Sequence, residues 1–232
     1  MMQKIFIKNN INIFSGHDIS FFFIDPFDYS FLKEDIDFIF EQCKKCEILL
    51  FIPISHIWRF KNQKAVQKIT DFLKSYGIDV PENENPADFI ENIRKTLSET
   101  AICASAELKD KQNTYALFFM SKNLKGVDVF LQARDKVFPC KQDALFDFEG
   151  SPTYKIKSKI VENPINNIDL YQWGLSHNLS TKQIIDALKK LLKSDEIQKN
   201  PKTKTGLYIS YKEWKVKTPQ VTYSFNGEKH GK

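Results

Sequence analysis

The sequence predicts an α/β domain followed by a smaller, basic domain that is rich in helices. Two apolar runs, at 20–24 and 48–52, each lead to a proline within two residues, a pattern typical of buried parallel strands. Segments with apolar residues at helical spacing alternate with these runs. Charge separates the two parts, because residues 1–150 carry 19 basic and 22 acidic side chains whereas residues 151–232 carry 15 and 7.

The order of the predicted elements defines the first domain. Residues 3–19 hold two short apolar runs, which predict one or two strands that end in a turn. After the strand at 20–25, the predicted elements are a helix over 29–44, a strand over 47–53, helices over 61–76 and 87–98, strands over 102–108 and 115–121, and a helix over 124–137. The polar turn at 109–113 makes the last two strands an antiparallel hairpin, so the sheet ends in an antiparallel edge.

Apolar stripes and helix breakers support the predicted helices. Gly77 ends the second helix, and Pro86 begins the third, where its fixed φ suits the first turn. The stripes are Leu32, Ile36, Ile39, Phe40 and Cys43 in the first helix, Ala65, Ile69, Phe72 and Leu73 in the second, and Val127, Phe130, Leu131 and Val137 in the last.

Composition excludes several classes of protein. The 232 residues are 42% hydrophobic, which is enough for a packed core. No apolar run approaches the roughly 18 residues of a membrane span, and the start lacks an apolar signal segment, so we expect a cytoplasmic protein without membrane contact. The four cysteines predict a reduced compartment and no metal site, with Cys43 and Cys46 packed in the core.

Asp25 is the first candidate for a functional residue. It follows the apolar run at 20–24, and ligands of parallel sheets bind at the carboxyl ends of the strands. Pro26 then turns the chain away from the sheet, and Phe27 adds an aromatic ring. A simpler interpretation is a strand-to-helix turn in which Asp25 or Asp28 caps the next helix.

Three motifs give the chain a resemblance to a known family. The sequence resembles the three-Cys-motif partner proteins of bacteria and their mobile elements over roughly residues 21–138 and again in the C-terminal segment. The motifs that carry this resemblance are Phe23-Ile24-Asp25-Pro26-Phe27, then Ile48-Leu49-Leu50-Phe51-Ile52-Pro53, then Tyr115-Ala116-Leu117-Phe118-Phe119-Met120-Ser121-Lys122-Asn123 with Gly126. The resemblance implies a Rossmann-type, methyltransferase-like sheet with a C-terminal winged helix.

The resemblance also implies roles for Asp25, Pro26 and Phe27 as catalytic residues of an amino-methyltransferase. The acid would accept a hydrogen bond from the amine, a carbonyl beside the proline would accept another, and the ring would stack on the target base. The sequence departs from the family pattern in having a single proline and in having Asp28 where a glycine commonly follows the aromatic residue.

The half of the sheet that would bind the cofactor is missing from this sequence. Only Gly16 precedes Asp25, and the chain contains no G-x-G sequence that would let the backbone approach S-adenosylmethionine. About 20 residues cannot hold two βα units, because each crossover needs a dozen residues or more. We therefore expect no cofactor in the isolated chain, and S-adenosylmethionine only if a partner chain completes the site.

Further residues are candidates for the lining of a cleft beside Asp25. The segment at 56–60 follows a strand end, and residues 121–123 lie at another junction between elements. The cleft candidates are His56, Trp58, Arg59, Ser121 and Lys122. The alternative for the first segment is a loop that is folded on the core.

The C-terminal pattern predicts a winged helix over about 150–220, followed by a polar tail at 221–232. A short helix at 169–176, a turn, a longer helix that begins at Ser180 or Thr181 and ends at Lys193, and a hairpin with strands at 196–199 and 207–211 give this arrangement. Its predicted nucleic-acid-binding residues are Lys182, Gln183, Lys189, Lys190, Lys193, Lys199, Lys202 and Lys204. A protein-binding winged helix and a simple solvated lysine surface remain as alternatives.

The sequence thus indicates two domains and three possible functions. The first domain, at 1–145, is a partial methyltransferase-like α/β domain, and the winged helix follows it. The leading hypothesis is an accessory protein that binds nucleic acid, most simply duplex DNA, and is inactive as a lone chain. The alternatives are a methyltransferase subunit completed by a partner chain and a scaffold that binds only protein.

Overall fold

The computed structural model describes residues 19–25, 29, 32–60, 63, 66–80, 85–138 and 150–227. The strands expected within 3–18, and the candidate residues Pro26 and Phe27, lie outside this described part. The described chain forms two compact units, Met1–Val127 and Asp128–Lys232, which are called here the N-terminal and C-terminal units.

The described residues contain nine helices and seven strands, which confirms the predicted α/β class. In the N-terminal unit the elements are β1 Ser20–Ile24, α1 Leu32–Gln42, β2 Cys46–Ile52, α2 Ile54–Phe60, α3 Gln67–Ser75, α4 Pro86–Leu97, β3 Ile102–Asp110, β4 Asn113–Ser121 and the start of α5 Leu124–Val137. In the C-terminal unit they are the remainder of α5, α6 Pro152–Glu162, β5 Ile165–Asn166, α7 Asn167–Ser176, α8 Thr181–Lys193, β6 Ile197–Asn200, α9 Tyr211–Val216 and β7 Thr222–Phe225. None of these helices is long and apolar enough to cross a membrane.

The N-terminal sheet is mixed, with the strand order β1-β2-β4-β3 among the described strands. β1 pairs with β2 in parallel, and both pairings of β4 are antiparallel, so the predicted hairpin of β3 and β4 is confirmed. The prediction that β1 is buried on both faces was wrong, because Phe21 is 57% exposed and Phe23 is 59% exposed. A run in which every residue is apolar has no alternation, and it therefore cannot show which face is buried.

The core of the N-terminal unit lies on one face of this sheet. Ile48, Leu50 and Ile52 alternate along β2 and are fully buried. They pack in one cluster with the predicted stripe of α1, and Cys43 and Cys46 belong to the same cluster, as expected. Burial raises the pKa of the Cys46 thiol to about 12, so the thiol stays protonated at neutral pH.

α2 was not predicted as a helix. It begins directly after Pro53, and it buries Ile54 and Ile57 in the core. The helix predicted over 61–76 is correspondingly shorter, since α3 covers only Gln67–Ser75. Seven residues are too few for a reliable helical period, so tertiary packing decides the conformation of this segment.

The C-terminal unit contains a three-stranded sheet with the order β5-β7-β6, in which every pairing is antiparallel. The predicted helices at 169–176 and from Thr181 to Lys193 are confirmed as α7 and α8. Sequence reading missed α6, although its signal was present, because Ser151 caps the helix through Tyr154 N and Pro152 stands in the first turn.

The hairpin of this unit was predicted with the wrong second strand. Residues 207–210 form no strand, and β6 pairs instead with β7, beyond a long connection at 201–221. The polar mobile tail predicted from 221 was also wrong up to Phe225, because Val221 and Tyr223 are buried and β7 is the central strand. Two apolar residues in a four-residue alternation are too weak a signal to distinguish a strand from a polar tail.

The contacts of α5 explain where the two compact units divide. Asp128, Arg134 and Asp135 form their hydrogen bonds with residues of α7, of α8 and of the turn between them. This part of α5 therefore belongs to the C-terminal unit. The boundary predicted between 145 and 150 falls largely on residues outside the described part, and it stays a prediction.

The buried side-chain amide of Asn167 forms the hydrogen bonds that hold the long connection at 201–221 in place. The Asn167 Nδ2 donates to the carbonyl oxygens of Tyr208 (2.7 Å) and Pro219 (3.2 Å), and its Oδ1 accepts from Val221 N at 2.9 Å. Asn167 is completely buried. Its side chain therefore forms hydrogen bonds to backbone groups on both sides of α9. Without Asn167 these backbone groups would lack a protein hydrogen-bond partner.

We expect Asn167→Leu to lower the free energy of unfolding by about 3 kcal/mol, because a leucine of similar size leaves two carbonyls and one N–H without this partner. Urea unfolding followed by tryptophan fluorescence measures the effect. Asn163→Ala is the control, since Asn163 is exposed, and it is expected to change stability by less than about 0.5 kcal/mol. Equal stability of both variants would show that the amide does not anchor the connection.

Candidate functional site

Asp25 lies at the carboxyl end of β1, as the sequence predicts. β1 and β2 are parallel, with Ile24 paired to Leu50, so both strands end at the same edge of the sheet. The Asp25 side chain is exposed. Tyr29 lies nearby and donates to the Phe51 carbonyl at 3.4 Å, and burial together with the charge of Asp25 raises its pKa. An exposed carboxylate at this edge is available to accept a hydrogen bond from a ligand.

α2 starts at this edge and is tied to the beginning of β4. Thr114 N donates to Ser55 Oγ at 2.7 Å, and Arg59 Nη2 donates to the Gln112 carbonyl at 3.0 Å. His56 is exposed, and its ring centre lies 4.8 Å from that of Phe60. His56 and Arg59 therefore lie at the edge of the sheet where Asp25 is found. They belong to a helix and not to a loop, which was the alternative for this segment.

Trp58 contacts the core instead of a cleft. Its ring stacks on Phe89 with 5.6 Å between the ring centres. Its Nε1 is buried and has no hydrogen-bond partner among the described residues. This position supports the alternative that the segment at 56–60 folds on the core, and it leaves the indole without an open face toward Asp25.

Ser121 and Lys122 lie at the opposite edge of the sheet. Ser121 pairs with Glu47 at the start of β2, and Lys122 Nζ donates to the Phe40 carbonyl near the end of α1 at 2.9 Å. β4 is antiparallel to β2, so its carboxyl end lies where β1 and β2 begin. The expectation that these two residues reach the same cleft as Asp25 was therefore wrong.

α8 has the two-sided character that the sequence predicts. Its buried face packs against the rest of the C-terminal unit, and its lysines point to solvent. The buried residues are Ile184, Ala187, Leu188 and Leu191, and the exposed basic residues are Lys182, Lys189, Lys190 and Lys193. A Cβ at Gly174 of α7 would lie 2.4 Å from Ile184 Cδ1, so this glycine permits the close approach of the two helices.

The amino end of α8 is closed by a capping box. Ser180 Oγ accepts from Gln183 N at 3.2 Å, and Gln183 Oε1 accepts from Ser180 N at 3.0 Å. The same Gln183 oxygen also accepts from Arg134 Nη2 at 3.2 Å. Gln183, predicted to contact nucleic acid, therefore has its side-chain oxygen engaged inside the protein.

Two carboxylates of α5 also accept hydrogen bonds from the residues at the amino end of α8. Asp135 Oδ2 accepts from the Ser180 hydroxyl, and its Oδ1 accepts from both Nε and Nη2 of Arg134, at 3.0 Å and 2.8 Å. Asp128 accepts from Thr181 Oγ1 at 2.6 Å and from Tyr171 Oη at 3.2 Å. Burial, and then the charge of Asp128, raises the pKa of Tyr171, so the phenol stays a donor at neutral pH. The first turn of α8 thus contacts protein.

The lysines of the β6–β7 connection divide into two kinds. Lys199 is half-buried, and its Nζ donates to the carbonyl oxygens of Lys204 and Gly206, which holds the turn together. Lys202 and Lys204 have exposed side chains, as predicted. The sequence analysis did not single out three further exposed lysines, Lys212, Lys215 and Lys217, because it placed no helix there. The available sequence signal was the alternation of these three lysines with Glu213, Trp214 and Val216.

Two lysines of α6 form ion pairs and are not exposed. Lys157 of α6 pairs with Glu196 at 2.6 Å, and Lys159 pairs with Glu162 at 3.0 Å. All nine exposed lysines within 150–227 lie on α8 or on the β6–β7 connection. These nine residues are called here the lysine surface. Positive charge is therefore concentrated on the consecutive stretch 182–217.

No family model, no curated protein and no solved structure matches the sequence or the fold. Within the described residues, no group of three or more histidine, cysteine, aspartate or glutamate side chains could hold a metal ion.

We expect Ser180→Ala to lower the free energy of unfolding by about 1–2 kcal/mol, because it removes the cap of α8 and the hydroxyl that Asp135 accepts from. The matched control is Ser210→Ala. Ser210 stands at the same position before α9 but makes no side-chain cap hydrogen bond, so we expect a change below about 0.5 kcal/mol. Urea unfolding measures both values, and a larger loss for Ser210→Ala would contradict the assignment.

Proposed function

We propose that the C-terminal unit is a winged helix that binds duplex DNA by contacts to phosphate. The element order α6, β5, α7, α8, β6, β7 supports the fold assignment. In this arrangement α7 and α8 form the helix-turn-helix, and β6 and β7 form the hairpin of the wing. α8 is then the helix that faces the nucleic acid.

The lysine surface is the observation that carries this proposal. Residues 181–217 contain ten lysines and four acidic residues, whereas 150–180 contain three and two. Charged side chains that are spread for solubility alone would be distributed on all faces with both signs. A surface on the helix and hairpin of a winged helix in which nine exposed lysines outnumber the two exposed acids, Asp186 and Asp195, is complementary to the phosphate backbone.

The contacts also support binding with little sequence preference. Arginine forks on guanine are the commonest specific base contact, and the three arginines of the chain are Arg59, Arg94 and Arg134, none of them on the lysine surface. The capping box engages the Oε1 of Gln183. Lysine contacts to phosphate position a protein on DNA, but they do not read its sequence.

For the N-terminal unit we propose methyltransferase ancestry, in the lineage of the three-Cys-motif partner proteins, and a location in the bacterial cytoplasm. The parallel pair β1 and β2, which ends at the exposed Asp25, supports this ancestry. The absence of a G-x-G sequence supports a chain that is inactive by itself. The exposed Asp25 also favours the second candidate function, a methyltransferase subunit whose cofactor half comes from a partner chain.

We expect the full chain to bind a labelled 30-base-pair duplex, with log affinity falling against log salt at a slope near −3.6 if about four lysines meet phosphates at ~0.9 each. Fluorescence anisotropy at four salt concentrations measures the slope. Two duplexes of unrelated sequence should give affinities within about threefold of each other, because phosphate contacts carry no base information.

The variant Lys189→Glu/Lys193→Glu should weaken binding to both duplexes about equally and flatten the salt dependence. Lys44→Glu/Lys95→Glu is the matched control, since it makes the same change of charge at two exposed positions of the N-terminal unit. A flat salt dependence of the wild type, or equal losses in both variants, would reject DNA binding by the lysine surface. It would then favour a protein-binding winged helix.

We expect no heat of binding when the isolated chain is titrated with S-adenosylmethionine up to about 1 mM in a calorimeter. The physical reason is the missing glycine turn, without which the backbone cannot approach the cofactor. Binding in the micromolar range would overturn this expectation and promote the enzyme as the leading function.

A further inference from the structure

The helix α9 and the residue after it carry three lysines of the lysine surface, and these three lie outside α8 and the wing. Lys212, Lys215 and Lys217 are exposed, and none has an ion-pair partner among the described residues. Lys212 and Lys215 stand three residues apart, so they lie on the same face of α9. Lys217 ends the helix, with its Nζ 4.5 Å from the centre of the Trp214 ring.

α9 is held in a fixed position against α7. The Asn167 side chain forms hydrogen bonds to the backbone on both sides of α9. Its partners are Tyr208 before the helix, and Pro219 and Val221 after it. Trp214 Nε1 donates to Gln172 Oε1 of α7 at 3.2 Å, and the Trp214 ring stacks on Tyr211. The exposed lysines are thus presented by an anchored helix. Preorganisation of this kind lowers the entropy cost of binding.

The connection at 201–221 is strongly basic. Residues 201–221 contain Glu213 as the single acidic side chain, against five lysines. The Oε2 atom of Glu213 is buried and has no hydrogen-bond partner among the described residues. The connection therefore carries a net charge of +4, five lysines less one glutamate.

We propose that α9 is a second phosphate-binding surface, which contacts the backbone of the same DNA duplex through Lys212, Lys215 and Lys217. This inference rests on the proposed function of the C-terminal unit. Duplex DNA carries one negative charge per ~1.7 Å along its axis, so closely spaced lysines can each meet a phosphate. The connection that carries α9 also carries Lys202 and Lys204 of the wing, so the two cationic groups belong to one covalent segment.

The composition of α9 favours DNA over an anionic membrane. Val216 is its only exposed apolar residue, at 54% exposure. Helices that bind membrane surfaces need a continuous apolar face with several large residues. α9 has six residues, and its aromatic rings are engaged with α7 and with Lys217, so no such face is available.

The test is Lys212→Gln/Lys215→Gln, compared in anisotropy titrations with wild type and with Lys44→Gln/Lys95→Gln as a control of equal charge. Loss of two phosphate contacts should reduce the magnitude of the salt slope by ~1.8, which weakens binding about 60-fold at 0.1 M salt relative to its effect at 1 M. Lys212→Arg/Lys215→Arg keeps the charge and should restore both quantities. This rescue distinguishes lost contacts from damage to the fold, and an unchanged urea midpoint checks the same point.

The outcomes separate the two proposals. If wild type binds with the expected slope and Lys189→Glu/Lys193→Glu weakens it, but Lys212→Gln/Lys215→Gln does not, the α9 surface is rejected and the proposed function stands. If wild type shows no salt-dependent binding, the proposed function fails first.

Cosedimentation with phosphatidylserine vesicles is the third measurement. Vesicle binding that is lost in Lys212→Gln/Lys215→Gln, with DNA binding unchanged, would overturn the assignment of DNA as the ligand.

Discussion

Two carboxylates of α5, on the buried Asp128 and the half-buried Asp135, hold the first turn of α8 in place. Asp128 and Asp135 accept from the hydroxyls of Thr181 and Ser180, and Arg134 balances part of their charge. A buried carboxylate is stable only when its oxygens are hydrogen-bonded, so these contacts leave the first turn of α8 little freedom. In many helix-turn-helix proteins the first turn of the recognition helix reads bases. Here that turn contacts α5, and the exposed part of α8 offers mainly lysines.

A second constraint acts in the N-terminal unit, where β4 runs antiparallel to β2. This direction places the end of β4 beside the beginning of β2, far from the edge at which Asp25 stands. Of the residues expected to line a cleft, only His56 and Arg59 lie near that edge with their side chains exposed. Among the described residues, this edge brings together the exposed side chains of Asp25, His56 and Arg59.

Particular residues show how far the sequence was sufficient. The stripe of α1 and the stripe of α8 were recognisable, because each extends over three turns and contrasts with polar neighbours. The exposed lysines of α8 follow directly from that stripe. α2 and α9 were not recognisable, because six or seven residues give no clear period and their ends are fixed by distant partners such as Thr114 and Asn167. The role of Gln183 was likewise hidden, since its partner Arg134 lies 49 positions away in the sequence.

Local sequence patterns were sufficient for the α/β class, for the long helices other than α6, for the antiparallel hairpin of β3 and β4 and for the concentration of lysine near the C-terminus. Each of these depends on local periodicity, turn residues or composition, which neighbouring positions record. Only the tertiary structure decided that Phe21 and Phe23 are exposed, that Ser121 and Lys122 lie away from Asp25, and that the chain returns after α9 to form β7. These properties depend on strand order and on single long-range hydrogen bonds, and the partners in such contacts are too far apart in the sequence to leave a local pattern.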